Sequence, residues 1–305
     1  MKYFTLWNLI ALAAFFAAGC SSQEQTETAR VPRALYTYSF GGLEDMAVPD
    51  AVALLEGLGY AGVAAEGRGE ESLQRLEQYL DLSEQKGDDF VIPAAFMAHR
   101  FSQFGFDDSA QRAAIDRLAG KKGATLWTWV RDDKPDGTVT DEKVEAFIAG
   151  IVEYAQSKGV RVILYPHYNT YYETVEDALP LVKKINHPDF QVAINLCHEL
   201  MSYKGDRLAE SFAMAKGRIG AIILSGALIE LDNSSVGTMN ESTILSLDDS
   251  VYDLRPYLRL IKESEFDGPI GFINFRLDRL TPPEDYLART MARWNALCEE
   301  VALHE

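Results

Sequence analysis

From residue 34 onward the chain alternates between two hydrophobic periods. Short, nearly unbroken apolar runs occupy 34–40, 60–66, 90–98, 124–131, 161–167, 191–198, 219–227 and 269–276. Strands with one wet face alternate apolar and polar residues, whereas strands covered on both faces read as continuous apolar runs, the mark of a parallel sheet. Between the runs the period changes to that of a helix. Residues 141–158 carry Val144, Phe147, Ile148, Ile151 and Ala155 on one stripe, with Asp141 and Glu142 in the first turn and Gly159 placed to end the helix in the left-handed conformation. Comparable patterns predict helices over 49–59, 72–86, 108–121, 174–185, 206–217 and 254–265. The last helix is expected to open with Thr281 as its cap, Pro282 in its first position and Glu284 closing a capping box, and to bury Leu287, Met291, Trp294, Cys298 and Val301.

Eight strand–helix units predict a single-domain α/β fold, a closed (β/α)8 barrel (TIM barrel) over 34–305, with 34–40 pairing beside 269–276. A doubly wound sheet is the alternative, but its glycine-rich phosphate turn is missing after the first run, where Phe40-Gly41-Gly42 stands. The connection 228–253 is long and polar, as loops that contact substrate or act as lids on the C-terminal face of a barrel often are.

The first 33 residues have no place in that pattern. Lys2 precedes an apolar stretch over residues 4–18 that is short for a membrane span and ends in Ala17-Ala18-Gly19-Cys20. This reads as a bacterial lipoprotein signal, 1–19, with cleavage before a lipidated Cys20 and a polar tether over 20–33. The expected location is the bacterial cell envelope, with the membrane as a partner through the lipid. Of three cysteines, Cys197 and Cys298 remain after Cys20 and read as buried thiols. There are 46 acidic residues against 29 basic ones. That balance excludes nucleic acid as a first choice of partner, because a strand binder needs a basic face.

In a (β/α)8 barrel the chemistry gathers at the C-terminal strand ends. The residues predicted there are Glu66, His99, Trp129, Arg131, Tyr165, His167, Asn195, His198, Ser225, Asn274 and Arg276, with Glu199 assigned to a surface or supporting role. Strand parity puts Tyr165 and His167 on one face of the fifth run, and Trp127, Trp129 and Arg131 together on one face of the fourth. Trp127 reads as core. Trp129 reads equally as core or as a stacking platform for a sugar ring.

The segments at 159–167 (GVRVILYPH), 173–178 (ETVEDA), 195–198 (NLCH) and 267–271 (DGPIG) resemble the xylose isomerase-like TIM barrels, a superfamily of sugar phosphate isomerases and epimerases that also holds endonuclease IV. The order Tyr165-Pro166-His167, Asn195-Leu196-Cys197-His198 and Gly268-Pro269-Ile270-Gly271-Phe272 is similar to a secreted and lipoprotein branch of it. The resemblance implies a divalent metal held by a Glu, an Asp, a His and a Glu, yet the matching positions carry Tyr165, Asn195, Ser225 and Asn274. His198 matches the histidine three residues after the strand-six acid. No cofactor is therefore expected; a rebuilt divalent-metal site is the alternative. Isomerase, epimerase or keto-sugar lyase chemistry on a small carbohydrate is the implied activity, with His167, His198 and Glu66 as acid–base candidates and the remaining strand-end residues as substrate contacts. A non-catalytic, lipid-anchored carbohydrate-binding protein is the alternative.

Overall fold

The computed structural model describes residues 35–133, 136–202, 204–228 and 243–303. The predicted signal, Cys20 and the tether lie outside the described residues, as does the middle of the 228–253 connection. Eight parallel strands close into a barrel in chain order. They are β1 (Leu35–Tyr38), β2 (Gly62–Glu66), β3 (Ala95–Arg100), β4 (Thr125–Arg131), β5 (Arg161–Leu164), β6 (Phe190–Asn195), β7 (Ile219–Leu224) and β8 (Ile270–Phe272). The predicted closure holds: Leu35, Tyr36 and Thr37 pair in parallel with Ile270, Gly271 and Phe272. The Thr37 hydroxyl also donates to the Phe272 carbonyl at 3.2 Å.

Two apolar layers share the strands. Outward residues such as Leu35, Val63, Leu126, Val162 and Ile194 pack under the helices. Inward residues fill the barrel lumen: Tyr36, Tyr38, Trp127, Ile163, Tyr165 and Ile223, among the small side chains of Ala64, Ala193 and Ala221. Large rings fit because the opposing positions are small. A Cβ on Gly271 would lie 2.0 Å from Cζ of Tyr36. Tyr36 meets Trp127 edge-on at 5.4 Å and Tyr38 meets Phe96 edge-on at 5.3 Å. Each such ring withdraws roughly 150–250 Å² from water, so the lumen is a core rather than a channel.

The strands are shorter than the apolar runs, and the differences have local causes. The run at 90–98 starts its strand late. Val91 makes only an isolated bridge to Gly62, Pro93 has no N–H for a ladder, and β3 begins at Ala95 and runs on to Arg100. The run at 161–167 stops at Leu164, just before Tyr165-Pro166. The run at 191–198 turns helical at Leu196.

Helices Asp141–Ser157 and Val175–Ile185 form as the pattern predicts, the first followed by Gly159 at φ 70°. Thr174 opens the second with a full capping box, its hydroxyl accepting from the Asp177 N–H while Asp177 accepts from the Thr174 N–H. The last helix, Pro283–Glu300, corrects an expectation. Its cap position is Pro282, Pro283 takes the first helical position, and no side chain caps it. Thr281 therefore stands one residue ahead of the cap position, and the Asp285 and Tyr286 N–H groups donate to the Pro282 carbonyl at 3.1 and 3.2 Å instead.

Candidate active site at the barrel mouth

The site is built where β4, β5 and β6 end. Tyr165 extends the ladder by one bond, its N–H donating to the Thr128 carbonyl at 2.9 Å. Pro166 cannot continue it, and the chain turns, with the His167 N–H donating to the Tyr172 carbonyl at 2.9 Å. The His167 ring then faces the mouth with its Nδ1 2.9 Å from the Tyr168 carbonyl oxygen. A carbonyl only accepts, so Nδ1 carries the hydrogen and Nε2 presents a lone pair.

After β6, Asn195 caps the short helix Leu196–Met201. Its Oδ1 accepts from the Cys197 N–H at 3.2 Å and from the Cys197 thiol at 3.1 Å. That turn lays His198 against His167, with ring centroids 3.8 Å apart and planes tilted by 39°. Trp129 stacks on His167 from β4 at 4.7 Å and 28°.

The two imidazoles differ in their partners. His198 is 2% exposed, and neither ring nitrogen has a hydrogen-bond partner among the described residues. Burial, reinforced by His167, pushes its basicity well below the ordinary histidine value. Burial also pushes His167 down to about 4, helped by the positive charges of Arg131 and Arg100 and opposed by the Tyr168 carbonyl. Both rings are therefore neutral at physiological pH, and each has a nitrogen lone pair to offer.

Beside them, Tyr38 and Tyr165 share a hydrogen bond at 3.0 Å, and Asn195 Nδ2 donates to the Tyr165 hydroxyl. Burial, with Cys197 nearby, raises the Tyr165 phenol well above its usual value, so it stays a neutral hydroxyl. On the other side, the Arg100 Nη1 donates to both carboxylate oxygens of Asp133 at 3.1 Å. Arg131 Nε lies 2.5 Å from the same carboxylate, and Ser102 donates to it at 3.1 Å. Burial works against the Asp133 charge, but these donors prevail and hold its carboxyl below the usual range. The Arg100 guanidinium lies 5.9 Å from the Trp129 ring centre.

Trp129, Arg131, Tyr165, His167, Asn195 and His198 thus meet at the mouth. The other predicted residues do not join them. His99 points out of the barrel, between Gln111 Nε2 at 3.1 Å and the Gly105 carbonyl at 2.9 Å, with its ring 4.3 Å from Phe147. The late start of β3 gives Phe96, Ala98 and Arg100 the inward parity and His99 the outward one. Arg100 is the mouth residue that the sequence reading missed, and the alternation in a correctly started β3 is the signal that finds it.

Ser225 is fully buried and donates to the Thr243 carbonyl at 2.7 Å, tying down the chain after β7. Asn274 is a clasp between β8 and β1, its Nδ2 facing the Phe40 carbonyl at 2.6 Å, the Tyr38 carbonyl at 3.2 Å and the Tyr286 hydroxyl at 3.1 Å. Arg276, in the left-handed conformation at φ 64°, is exposed and lies over Phe275 at 4.7 Å. Glu66 sits on the rim 3.8 Å from Arg68, its carboxyl raised by burial against the pull of that arginine. Glu199 is no surface residue. It is 1% exposed, accepts from the Val175 N–H at 2.8 Å, and has its carboxyl pushed up to about 7 by burial. Trp127 is core. Cys197 and Cys298 are buried and not disulfide-bonded.

This donor set does not fit a hard divalent ion. Asn195 commits its oxygen to Cys197, Tyr165 is held neutral, Ser225 is turned to a carbonyl, and Asn274 presents its NH₂ to carbonyls. Among the described residues no three His, Cys, Asp or Glu side chains are grouped to hold a metal. Two neutral imidazoles alone would leave the ion's charge uncompensated.

The fold defines a (β/α)8 barrel with its polar groups gathered at the C-terminal strand ends. More particularly, the chain belongs to the xylose isomerase-like TIM barrel family, whose model matches residues 42–297. Among solved structures it is similar to the IolI protein with a bound zinc atom, at 15% identity over 88% of this chain and 99% of that one, TM-score 0.68. It is also similar to D-psicose 3-epimerase from Clostridium cellulolyticum H10, at 10% identity over 88% and 98%, TM-score 0.64. A third is 3-keto-D-glucoside 4-epimerase from E. coli, at 13% identity over 82% and 94%, TM-score 0.62. No curated protein sequence matches the chain significantly.

Proposed function

We propose that this chain is a sugar-processing enzyme that binds a small carbohydrate at the barrel mouth and moves a proton on a carbon next to a carbonyl, as an isomerase or epimerase does, without a divalent metal. One observation carries the reading: His198 is buried at the C-terminal face with both ring nitrogens unpartnered among the described residues, against a His167 whose Nε2 carries a lone pair. A buried polar group left unpaired costs about 1–3 kcal/mol, so such a group is kept where a ligand completes it. His167 Nε2 is the base. The Tyr168 carbonyl on Nδ1 orients the ring and stabilises the imidazolium as it forms. The negative charge that develops on the carbonyl oxygen is met by the positive field of the arginines that already acts on His167, and His198 holds a sugar hydroxyl. The epimerases among the similar structures support this chemistry.

The test is solvent exchange. After dialysis against EDTA, the protein is incubated in D₂O with ketopentoses and ketohexoses, and deuterium at the carbon beside the carbonyl is read by NMR. Exchange that falls at least ~100-fold in His167→Gln is expected, the size of a lost general base. Exchange that appears only on adding zinc or manganese would overturn the metal-free mechanism. Sugar binding without exchange would favour the non-catalytic reading, for which the mutual bonding of Tyr38, Tyr165 and Asn195 speaks.

We further propose that Cys20 is the lipidated first residue of the mature chain and anchors it in the bacterial cell envelope. The small residues ahead of Cys20 and the polar 21–33 stretch support this. Cys20→Ser should abolish fatty-acid labelling and membrane retention; label persisting in that variant would refute it.

A further inference from the structure

We propose that Arg100 and Arg131 form a specificity site for an oxyanion, a carboxylate or phosphate carried by the sugar. The proposal rests on the mouth being the carbohydrate site and adds the charge class of its substrate. The two arginines end adjacent strands in direct register, Arg100 opposite Arg131. Both lie at the inward parity, and their guanidinium groups converge on a single carboxylate, that of Asp133.

Asp133 supplies one carboxylate to the pair. Across these three side chains one positive charge is left over. Asp133 engages Nη1 of Arg100 and Nε of Arg131, and the other guanidinium N–H groups have no acceptor among the described residues. The side chains are 32% and 29% exposed, so an anion reaches them from the mouth.

Two further observations place this charge at the ligand site rather than on an outer face. Arg100 lies over Trp129, which stacks on His167, which contacts His198, so the arginines continue the same wall. The Trp129 Nε1–H is buried without an acceptor among the described residues, a second unfilled polar group in that wall after His198. The guanidinium fork matches the geometry of carboxylate and phosphate oxygens and is suited to holding either by paired bonds. In a chain of net charge −17, a local positive pair is also what lets an anionic sugar approach at all.

The test is calorimetric titration of the full-length protein with D-glucuronate, D-glucose 6-phosphate and D-glucose, at low salt and at high salt. An anionic sugar should bind at least ~tenfold more tightly than glucose, the advantage should shrink with salt, and Arg131→Gln and Arg100→Gln should remove it. Which anion wins identifies the source. Asp133→Asn, which frees both guanidinium groups, should tighten anion binding roughly threefold or more; if it does not fold, Arg131→Lys, which keeps the charge and loses the fork, should bind anions with intermediate strength. Equal binding of glucose and the anionic sugars, unchanged in the glutamine variants, would overturn the proposal while leaving the carbohydrate reading intact. If no sugar binds, the carbohydrate reading fails; inorganic phosphate or succinate binding that depends on Arg131 would then still support the oxyanion site, and its absence would overturn it.

Discussion

His167 and His198 lie against each other with ring centroids 3.8 Å apart and planes tilted by 39°, and of the two, among the described residues, only the His167 ring is hydrogen-bonded. The pair sets the character of the mouth. One ring is oriented by a backbone carbonyl, and the other is held by packing alone.

His198→Leu tests whether the second ring serves the fold. Replacing an unpartnered buried imidazole with a hydrocarbon of similar size removes a penalty of roughly 1–3 kcal/mol. Thermal unfolding of the variant should occur at the same temperature or higher, while sugar binding is lost. A fall in stability of the size of a core cavity, above about 3 kcal/mol, would show that the ring has a structural partner.

Asn274→Asp restores an acid at a position where the family resemblance implies a metal-binding Glu. Here it would aim a carboxylate at the Tyr38 and Phe40 carbonyl oxygens, where the amide NH₂ now lies. The variant should lose about 3 kcal/mol or more, because two acceptors and a buried charge are left facing each other. Asn274→Ala should lose less, about 1–3 kcal/mol. Urea unfolding of both separates a clasp from a latent metal site: stabilisation of the Asn274→Asp variant by zinc would contradict the clasp.

Glu199 makes stability depend on pH. Its carboxyl is raised from 4.5 to about 7 in the folded chain by burial. Between those values the native state holds a proton that the unfolded chain has released, so the contribution is complete below about pH 4.5 and is lost as pH rises through 7. At most this is about 3 kcal/mol. Denaturation at about pH 5 and about pH 8, on either side of the folded value, should show a drop in the wild type that Glu199→Gln lacks, since the amide oxygen can still accept from the Val175 N–H. Parallel pH profiles for the two proteins would remove Glu199 as the cause.

Gly271→Ala tests how the lumen is filled. The added methyl would fall 2.0 Å from the Tyr36 ring, across the β1–β8 closure. A loss of about 1–3 kcal/mol is expected, and a second change, Tyr36→Leu, should recover part of it. If Gly271→Ala unfolds at the wild-type denaturant concentration, the ring is free to move and the lumen is looser than described.

The architecture was legible because it rests on local pattern. Continuous apolar runs separated by amphipathic helices leave few arrangements for eight units, and the pairing of the first run with the last follows from closure. The site was legible only where strand parity could be read from the correct start. Trp129, Arg131 and Tyr165 were placed correctly because β4 and β5 begin where their runs begin. His99 was misplaced and Arg100 missed because Pro93 delays β3, and which residue of a strand faces inward changes with every step.

By itself the sequence determined the barrel, its order of units and the presence of polar residues at the strand ends. Only the tertiary structure decided which of those residues share a space. Ser225 and Asn274 are turned to backbone carbonyls by chain segments that are remote in sequence, and Glu199 is buried beneath the start of another helix. Arg100 and Arg131 become neighbours through strand register although two helices, Phe101–Phe104 and Ser109–Leu118, separate them along the chain. The hydrophobic period is a local property that each element carries alone, whereas a hydrogen-bond partner or a shared charge is fixed only when distant elements are packed together.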